Sequence, residues 1–307
     1  MSRVNSIRQL KKTLSFFEKF MPYKGNFNKN NPSENFHSFQ FFKYHSFKYF
    51  TQENFPLIFY GRKREQDITL MTKYLKKNGY VTSYIGDACK RDNIRILHNL
   101  PEEQAYDHLF LICDPNSEHY NTNTIRCLYG KMINQHLFEY GNQFWRIYKD
   151  NRKFLSIITN DGHEGTLEVL KYSDDVIYNF LNKLFNDNLL SDTTVFLLSD
   201  HGVGMPSIYY FYNFYQIELR LPMLYIIVND RKNITYNQQY ANIHENQQTF
   251  ITAYDIYNTI INLIYGDKYV LPQGIPKCRR GRSLFDEIDP KVRKPNNYYP
   301  MSNFVCK

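Results

Sequence analysis

Apolar positions recur in this chain with two periods, and the switches between them predict its elements. Ile7, Leu10, Leu14, Phe17 and Met21 repeat at helical spacing with Arg8, Lys11, Lys12 and Lys19 between them, which predicts an amphipathic helix over residues 3–21. A polar stretch, 26–35, follows Gly25, is broken by Pro32 and reads as a loop. The aromatic run 39–50 reads as carrying a strand that leads into Thr51. Helical patterning over 67–78 stops at Gly79, and strand patterning over 80–86 stops at Asp87. Further strands are expected over 108–113, 153–159, 194–198 and 221–228. Helices are expected over 128–148, 166–186 and 250–265, the second with Leu167, Leu170, Ile177, Leu181 and Leu184 on one face. Trp145 falls on a helix and reads as core. Strands alternating with helices predict an α/β fold whose mostly parallel sheet is covered on both faces. No linker divides the chain, so one domain is expected over 1–290 with a tail over 291–307.

Three of the expected strands end in polar groups that a buried strand has no use for. Val195-Phe196-Leu197-Leu198 runs into Ser199-Asp200-His201-Gly202. In open α/β sheets the ligand crevice lies beyond the carboxyl ends of the strands. A carboxylate oxygen and an imidazole nitrogen side by side suit a divalent transition metal. The other reading makes Asp200 a turn cap and His201 a surface histidine. Strand 153–159 runs into Asn160-Asp161-Gly162-His163-Glu164-Gly165. Asp161 and His163 form either a metal pair or a general acid, His163, oriented by Asp161 or Glu164. Alternatively, the two carboxylates complement a helix N-terminus. Thr51 opens a short apolar, helix-like stretch, Phe55-Pro56-Leu57-Ile58-Phe59-Tyr60-Gly61. A helix start gathers anions and supports a deprotonated hydroxyl, although Thr is also an ordinary N-cap.

Composition narrows the partners. The net charge of +8 over 307 residues suits anionic ligands, but the basic residues form no block, so no nucleic-acid partner is expected. No apolar stretch is long enough to be a membrane span and no signal peptide is visible. The five cysteines show no zinc spacing.

Taken in order, the motifs resemble those of the alkaline phosphatase superfamily. Within it they are similar to the sulfatase-like family designated domain of unknown function 229. The resemblance runs from Ser2-Arg3-x-Asn5-x-x-Arg8-Gln9-Leu10 through Thr51-x-x-Asn54 with Gly61 and Tyr74-Leu75-x-x-x-Gly79-Tyr80-Val81-Thr82. It continues through Asp161-Gly162-His163-Glu164-Gly165-Thr166, Ser199-Asp200-His201-Gly202, Glu218-x-Arg220-Leu221-Pro222 and Gly281-x-Ser283-Leu284-Phe285. It implies a three-layer αβα sandwich and a metal-dependent hydrolase or phosphoryl transferase acting on phosphate, phosphodiester or sulfate esters. Thr51 matches the nucleophile and metal bridge, and Asp200 and His201 match metal ligands, with Asp161 a further candidate. Asn54 matches a donor to the bound ester, and His163 a substrate or leaving-group histidine. Arg220 is a candidate clamp on the anionic substrate, or else half of an ion pair with Glu218. The implied cofactor is a divalent metal ion, zinc or manganese first, calcium or magnesium otherwise.

The chain also departs from the family pattern. There a strand ending in a metal-binding Asp precedes the Ser-Arg segment, and this chain is expected to lack both. After His201 the only histidine is His244, so one metal is expected rather than two. The Cys-x-Pro-x-Arg segment that matures into formylglycine in sulfatases is absent, which favours phosphate esters. The alternative expectation is a truncated, catalytically silent member that binds anionic ligands or partners. Its location would be secretory or membrane-anchored if an upstream signal or anchor exists, and cytoplasmic otherwise.

Overall fold

The computed structural model describes residues 2–21, 36–48, 50–61, 71–87, 106–112, 127–163, 168–202, 214–229, 238–266, 281–291 and 293. The chain forms two compact units, Met1–Glu65 with Leu190–Lys307, and Gln66–Leu189. The first unit begins with α1 (Arg3–Gln9), α2 (Lys11–Glu18), β1 (Phe36–Gln40), β2 (Tyr44–His45) and α3 (Thr51–Tyr60). The second unit comprises α4 (Met71–Lys77), β3 (Val81–Gly86), β4 (His108–Leu111), β5 (Cys127–Leu128), β6 (Lys131–Met132), α5 (Ile133–Ile147), β7 (Lys153–Ile158) and α6 (Lys171–Asn186). The chain then returns to the first unit with β8 (Val195–Leu198), α7 (Phe214–Arg220), β9 (Leu224–Asn229), α8 (Gln238–Asn246), β10 (Ile251–Thr252) and α9 (Ala253–Tyr265).

In the second unit β3 is central and pairs in parallel with β4 and β7, as the alternating pattern predicts. Helix α5 turns Leu137, Gly141, Phe144 and Trp145 inward. Gly141 brings the helix close: a Cβ there would stand 2.8 Å from Ile157 Cδ1. Trp145 is core, and its Nε1 donates to the Leu189 carbonyl at 3.0 Å. On α6, Leu170, Ile177, Leu181 and Leu184 are buried as expected, while Leu167 lies outside the described residues.

The first unit is built on a sheet ordered β1-β9-β8, with the apolar run Leu224–Val228 of β9 buried at its centre. Phe17 of α2 meets Tyr225 edge-on at 5.7 Å between ring centroids. Here the sheet is antiparallel rather than parallel, because the chain re-enters at the end it left: Leu198 pairs with Leu224. Helix α3 packs on α9 and closes at Gly61. That glycine has φ +67°, and a Cβ there would lie 2.5 Å from the Tyr257 ring, so both conformation and space require Gly.

Three of the expected helices are broken or give way to strands at one end. The helix over 3–21 breaks at Leu10 (φ −102°, ψ 47°), which buries Leu10 completely and leaves Ile7 49% exposed. The helix over 128–148 gives its first turn to the β5–β6 hairpin, where Tyr129 and Gly130 have positive φ. The helix over 250–265 is preceded by β10, which pairs with β2. Among the described residues no helix is long and apolar enough to cross a membrane. Cys127 is free and exposed, and the other cysteines lie outside the described residues.

Candidate active site

Helix α3 begins at Thr51, after extended backbone at Phe50. This places a half-exposed hydroxyl in the first turn, where the N–H groups of Thr51 and Gln52 have no helical partner while those of Glu53 and Asn54 donate to the Phe50 carbonyl. Strand β8 delivers Asp200 and His201 beyond its carboxyl end. Although 150 residues separate them, Thr51 Oγ1 and His201 Nε2 are 3.0 Å apart. Asp200 Oδ2 stands 3.6 Å from the same nitrogen, buried and without a hydrogen-bond partner among the described residues.

The imidazole is oriented from behind. His201 Nδ1 meets the Gly202 carbonyl. A carbonyl only accepts, so Nδ1 carries a ring proton, and in the neutral ring Nε2 presents its lone pair to Thr51. The loop is clamped in turn. Ser199 N–H donates to the Met223 carbonyl at 3.0 Å, and Gly202 N–H to the Leu219 carbonyl at 2.9 Å. A Cβ at Gly202 would fall 1.6 Å from the Glu218 carbonyl oxygen, so no other residue fits against the end of α7. That end is held by Ser46, whose N–H donates to the Arg220 carbonyl at 3.0 Å, and by Ser2, whose hydroxyl donates to Glu218 Oε2. The Ser2-Arg3 and Glu218-x-Arg220 segments therefore meet.

Of the expected residues, Asn54 is committed elsewhere. Asn54 is fully buried, and its amide is wholly engaged with backbone. Its Oδ1 accepts from Phe47 N–H (2.8 Å) and Lys48 N–H (3.0 Å), and its Nδ2 donates to the carbonyls of Lys48 (2.9 Å) and Phe50 (3.0 Å). No hydrogen is left for a substrate oxygen, so Asn54 shapes the approach to Thr51 instead of donating to an ester. Arg220 is 3% exposed, which withdraws its guanidinium from solvent. Asp161 and His163 belong to the second unit. Asp161 is buried, and its Oδ2 accepts from Asn134 Nδ2 at 3.0 Å and from the Ser173 hydroxyl, tying the end of β7 to α5 and α6. His163 is exposed on that loop, and Glu164 lies outside the described residues.

Two residues were not singled out from sequence. Tyr44 is buried, and burial first, then the charges of Asp200 and Asp255, push its hydroxyl pKa above the ordinary range. It therefore stays protonated and neutral beside the site. Asp87, just beyond β3, accepts from Asn160 N–H at 3.0 Å and Asn160 Nδ2 at 2.8 Å. The same rule that drew attention to Asp200, a polar residue directly after an apolar strand, would have found Asp87.

A metal is testable on this donor set. Carboxylate oxygen, imidazole nitrogen and hydroxyl oxygen are donors that zinc and manganese accept, and the orphaned Asp200 Oδ2 is an atom a cation would satisfy. Among the described residues no three His, Cys, Asp or Glu side chains gather to hold a metal. The set fits as part of a coordination shell.

The fold is similar to that of proteins of the alkaline phosphatase superfamily. A protein of that superfamily from Vibrio parahaemolyticus is similar with a TM-score of 0.56 at 14% identity, over 83% of this chain and 63% of its own. The lipoteichoic acid synthase LtaP from Listeria monocytogenes is similar at 0.50 and 13%, over 83% of this chain and 67% of its own. A protein of glycosaminoglycan metabolism from Bacteroides thetaiotaomicron is similar at 0.51 and 13%, over 80% and 72%. The chain thus spans less than two thirds of the length of the Vibrio protein. A search of curated protein sequences gives no match. The chain belongs to the family described as protein of unknown function (DUF229), whose model matches residues 1–298.

Proposed function

We propose that this chain is a metal-assisted hydrolase or transferase of phosphate, phosphodiester or sulfate esters with Thr51 as its nucleophile. The observation that carries this reading is the 3.0 Å approach of Thr51 Oγ1 to His201 Nε2, with Asp200 Oδ2, which accepts no hydrogen bond among the described residues, 3.6 Å from the same nitrogen. Lone-pair direction orients the Thr51 hydroxyl, and the first turn of α3 favours negative charge on the oxygen and on a bound ester. Thr51 Oγ1 bonds to phosphorus or sulfur as the ester P–O or S–O bond breaks, the leaving alcohol keeps that oxygen and takes up the hydroxyl proton, and water or a second alcohol then takes the group and returns its proton to Oγ1. Asp200, His201 and Thr51 would hold the cation, which would lower the hydroxyl's pKa towards neutrality. The lack of a formylglycine segment favours phosphate over sulfate.

The test is turnover of p-nitrophenyl phosphate, bis(p-nitrophenyl) phosphate and p-nitrophenyl sulfate with zinc or manganese. Thr51→Ala should abolish turnover while Thr51→Ser retains part of it, and His201→Ala should weaken the metal dependence. Undiminished turnover by Thr51→Ala would remove the nucleophile. Wild-type protein that binds these anions without turning any over would make the site a binding pocket.

A further inference from the structure

We propose that the outward face of α1 docks on an anionic lipid bilayer. This helix is inside out. Its buried residues are the polar Asn5, Ser6 and Gln9, while Val4 and Ile7 are each 49% exposed. An amphipathic helix on a protein core shows the reverse arrangement. The polar inner face is accounted for locally, by Ser6 donating to the Arg3 carbonyl at 2.7 Å and by the Ser2 side chain receiving Asn5 N–H at 3.1 Å. Among the described residues no such account exists for the outer face. On α7, the helix that α1 packs against, Ile217 is also exposed, at 38%.

Charge selects the occupant. Arg8, next to Ile7 on α1, and Lys11 and Lys12, which open α2, are all exposed, and no acidic residue occurs between Ser2 and Phe17. Aliphatic side chains set among Lys and Arg match a bilayer interface, where the aliphatics enter the acyl boundary and the cations meet acidic headgroups. The break at Leu10 gives the arrangement its form: it lets α2 bury Phe16 and Phe17 in the core while α1 turns its apolar side outward.

The experiment is co-sedimentation of the full chain with phosphatidylcholine vesicles containing 30% phosphatidylserine, against vesicles of phosphatidylcholine alone. Binding to the acidic vesicles should fall with added salt. Lys11→Glu with Lys12→Glu should weaken it at least about tenfold, since each cation near the surface contributes about 1 kcal/mol. Val4→Ser with Ile7→Ser should weaken it severalfold, and far-UV circular dichroism should match wild type because both residues are exposed. Equal binding to neutral vesicles, or binding that neither pair changes, would overturn the proposal. So would a concentration-dependent dimer, without vesicle binding, that the Val4→Ser/Ile7→Ser pair abolishes; it would assign the face to a second copy.

Discussion

Gly202→Ala adds one methyl group and tests the frame that aims His201. Gly202 is not in the left-handed region, so alanine suits the backbone and only space is at issue. The new carbon would stand 1.6 Å from the Glu218 carbonyl oxygen, 2.6 Å from its carbon and 2.8 Å from Leu219 Cα. An ordinary carbon–oxygen contact is about 3.3 Å, so the two segments must part by roughly 1.7 Å. The obstacle is backbone and no rotamer relieves it. Parting the segments breaks the Gly202 N–H bond to the Leu219 carbonyl, worth about 1 kcal/mol. Overpacking adds ~1–3 kcal/mol, and the reduced freedom of the unfolded chain returns ~0.4–1 kcal/mol. The net loss should be about 1–3.5 kcal/mol, read as a lowered urea midpoint at unchanged slope. Gly79→Ala is the control. Gly79 has φ +77° and nothing within 4 Å, so it should show strain alone, ~1 kcal/mol. Equal midpoints for Gly202→Ala and wild type would refute the reasoning, because α7 would then yield freely and could not be holding the loop.

Asn54→Ala should cost at least about 3 kcal/mol, since it strands four backbone groups, and calorimetry should show the fall before any activity is assayed. Asp255→Ala should cost ~3–5 kcal/mol, because Asp255 is fully buried against Arg293 and also accepts from Arg282 N–H and Thr252 N–H; an unchanged melting temperature would show that the C-terminal segment is not anchored there. His45 is lowered from 6.5 to about 4, chiefly by burial, so it stays neutral in the folded chain while the unfolded chain takes up a proton below pH 6.5. Its contribution is complete above that pH and is lost as pH falls towards 4, about 2 kcal/mol by pH 5; His45→Gln should flatten the difference between urea midpoints at pH 7.5 and 5.0.

What could be read from the sequence follows from what is local. Strand ends at Gly86, Leu111, Ile158 and Leu198 come within two residues of expectation, because polar residues interrupt apolar runs there. The buried stripe of α6 and the core position of Trp145 follow from periodicity. The Leu10 break was hidden because Ile7 and Leu14 are seven apart, close to two full helical turns, and periodicity counts both as one face whether or not the helix between them is continuous. The antiparallel return of β9 was hidden because an apolar strand reads the same in either direction.

The site shows the same division between local pattern and long-range placement. Thr51 and His201 each had an ordinary reading, as a helix cap and a surface histidine. Their order along the chain raised the joint reading, and only the fold shows two atoms from residues 150 positions apart meeting at 3.0 Å. Asn54 shows where that logic stops. Its position three residues after Thr51 fits an ester donor, but on a helix that spacing is also one turn, which lets the amide reach back to the chain entering α3. Both uses need an amide at position 54, so residue type does not separate them; counting hydrogen bonds does. All four fall on residues 47 to 50, and the amide's capacity is then full. Under the proposed function, charge stabilisation on an ester would then fall to the first turn of α3 and to the cation that Asp200 and His201 would hold, and it is there that substitutions should separate binding from turnover.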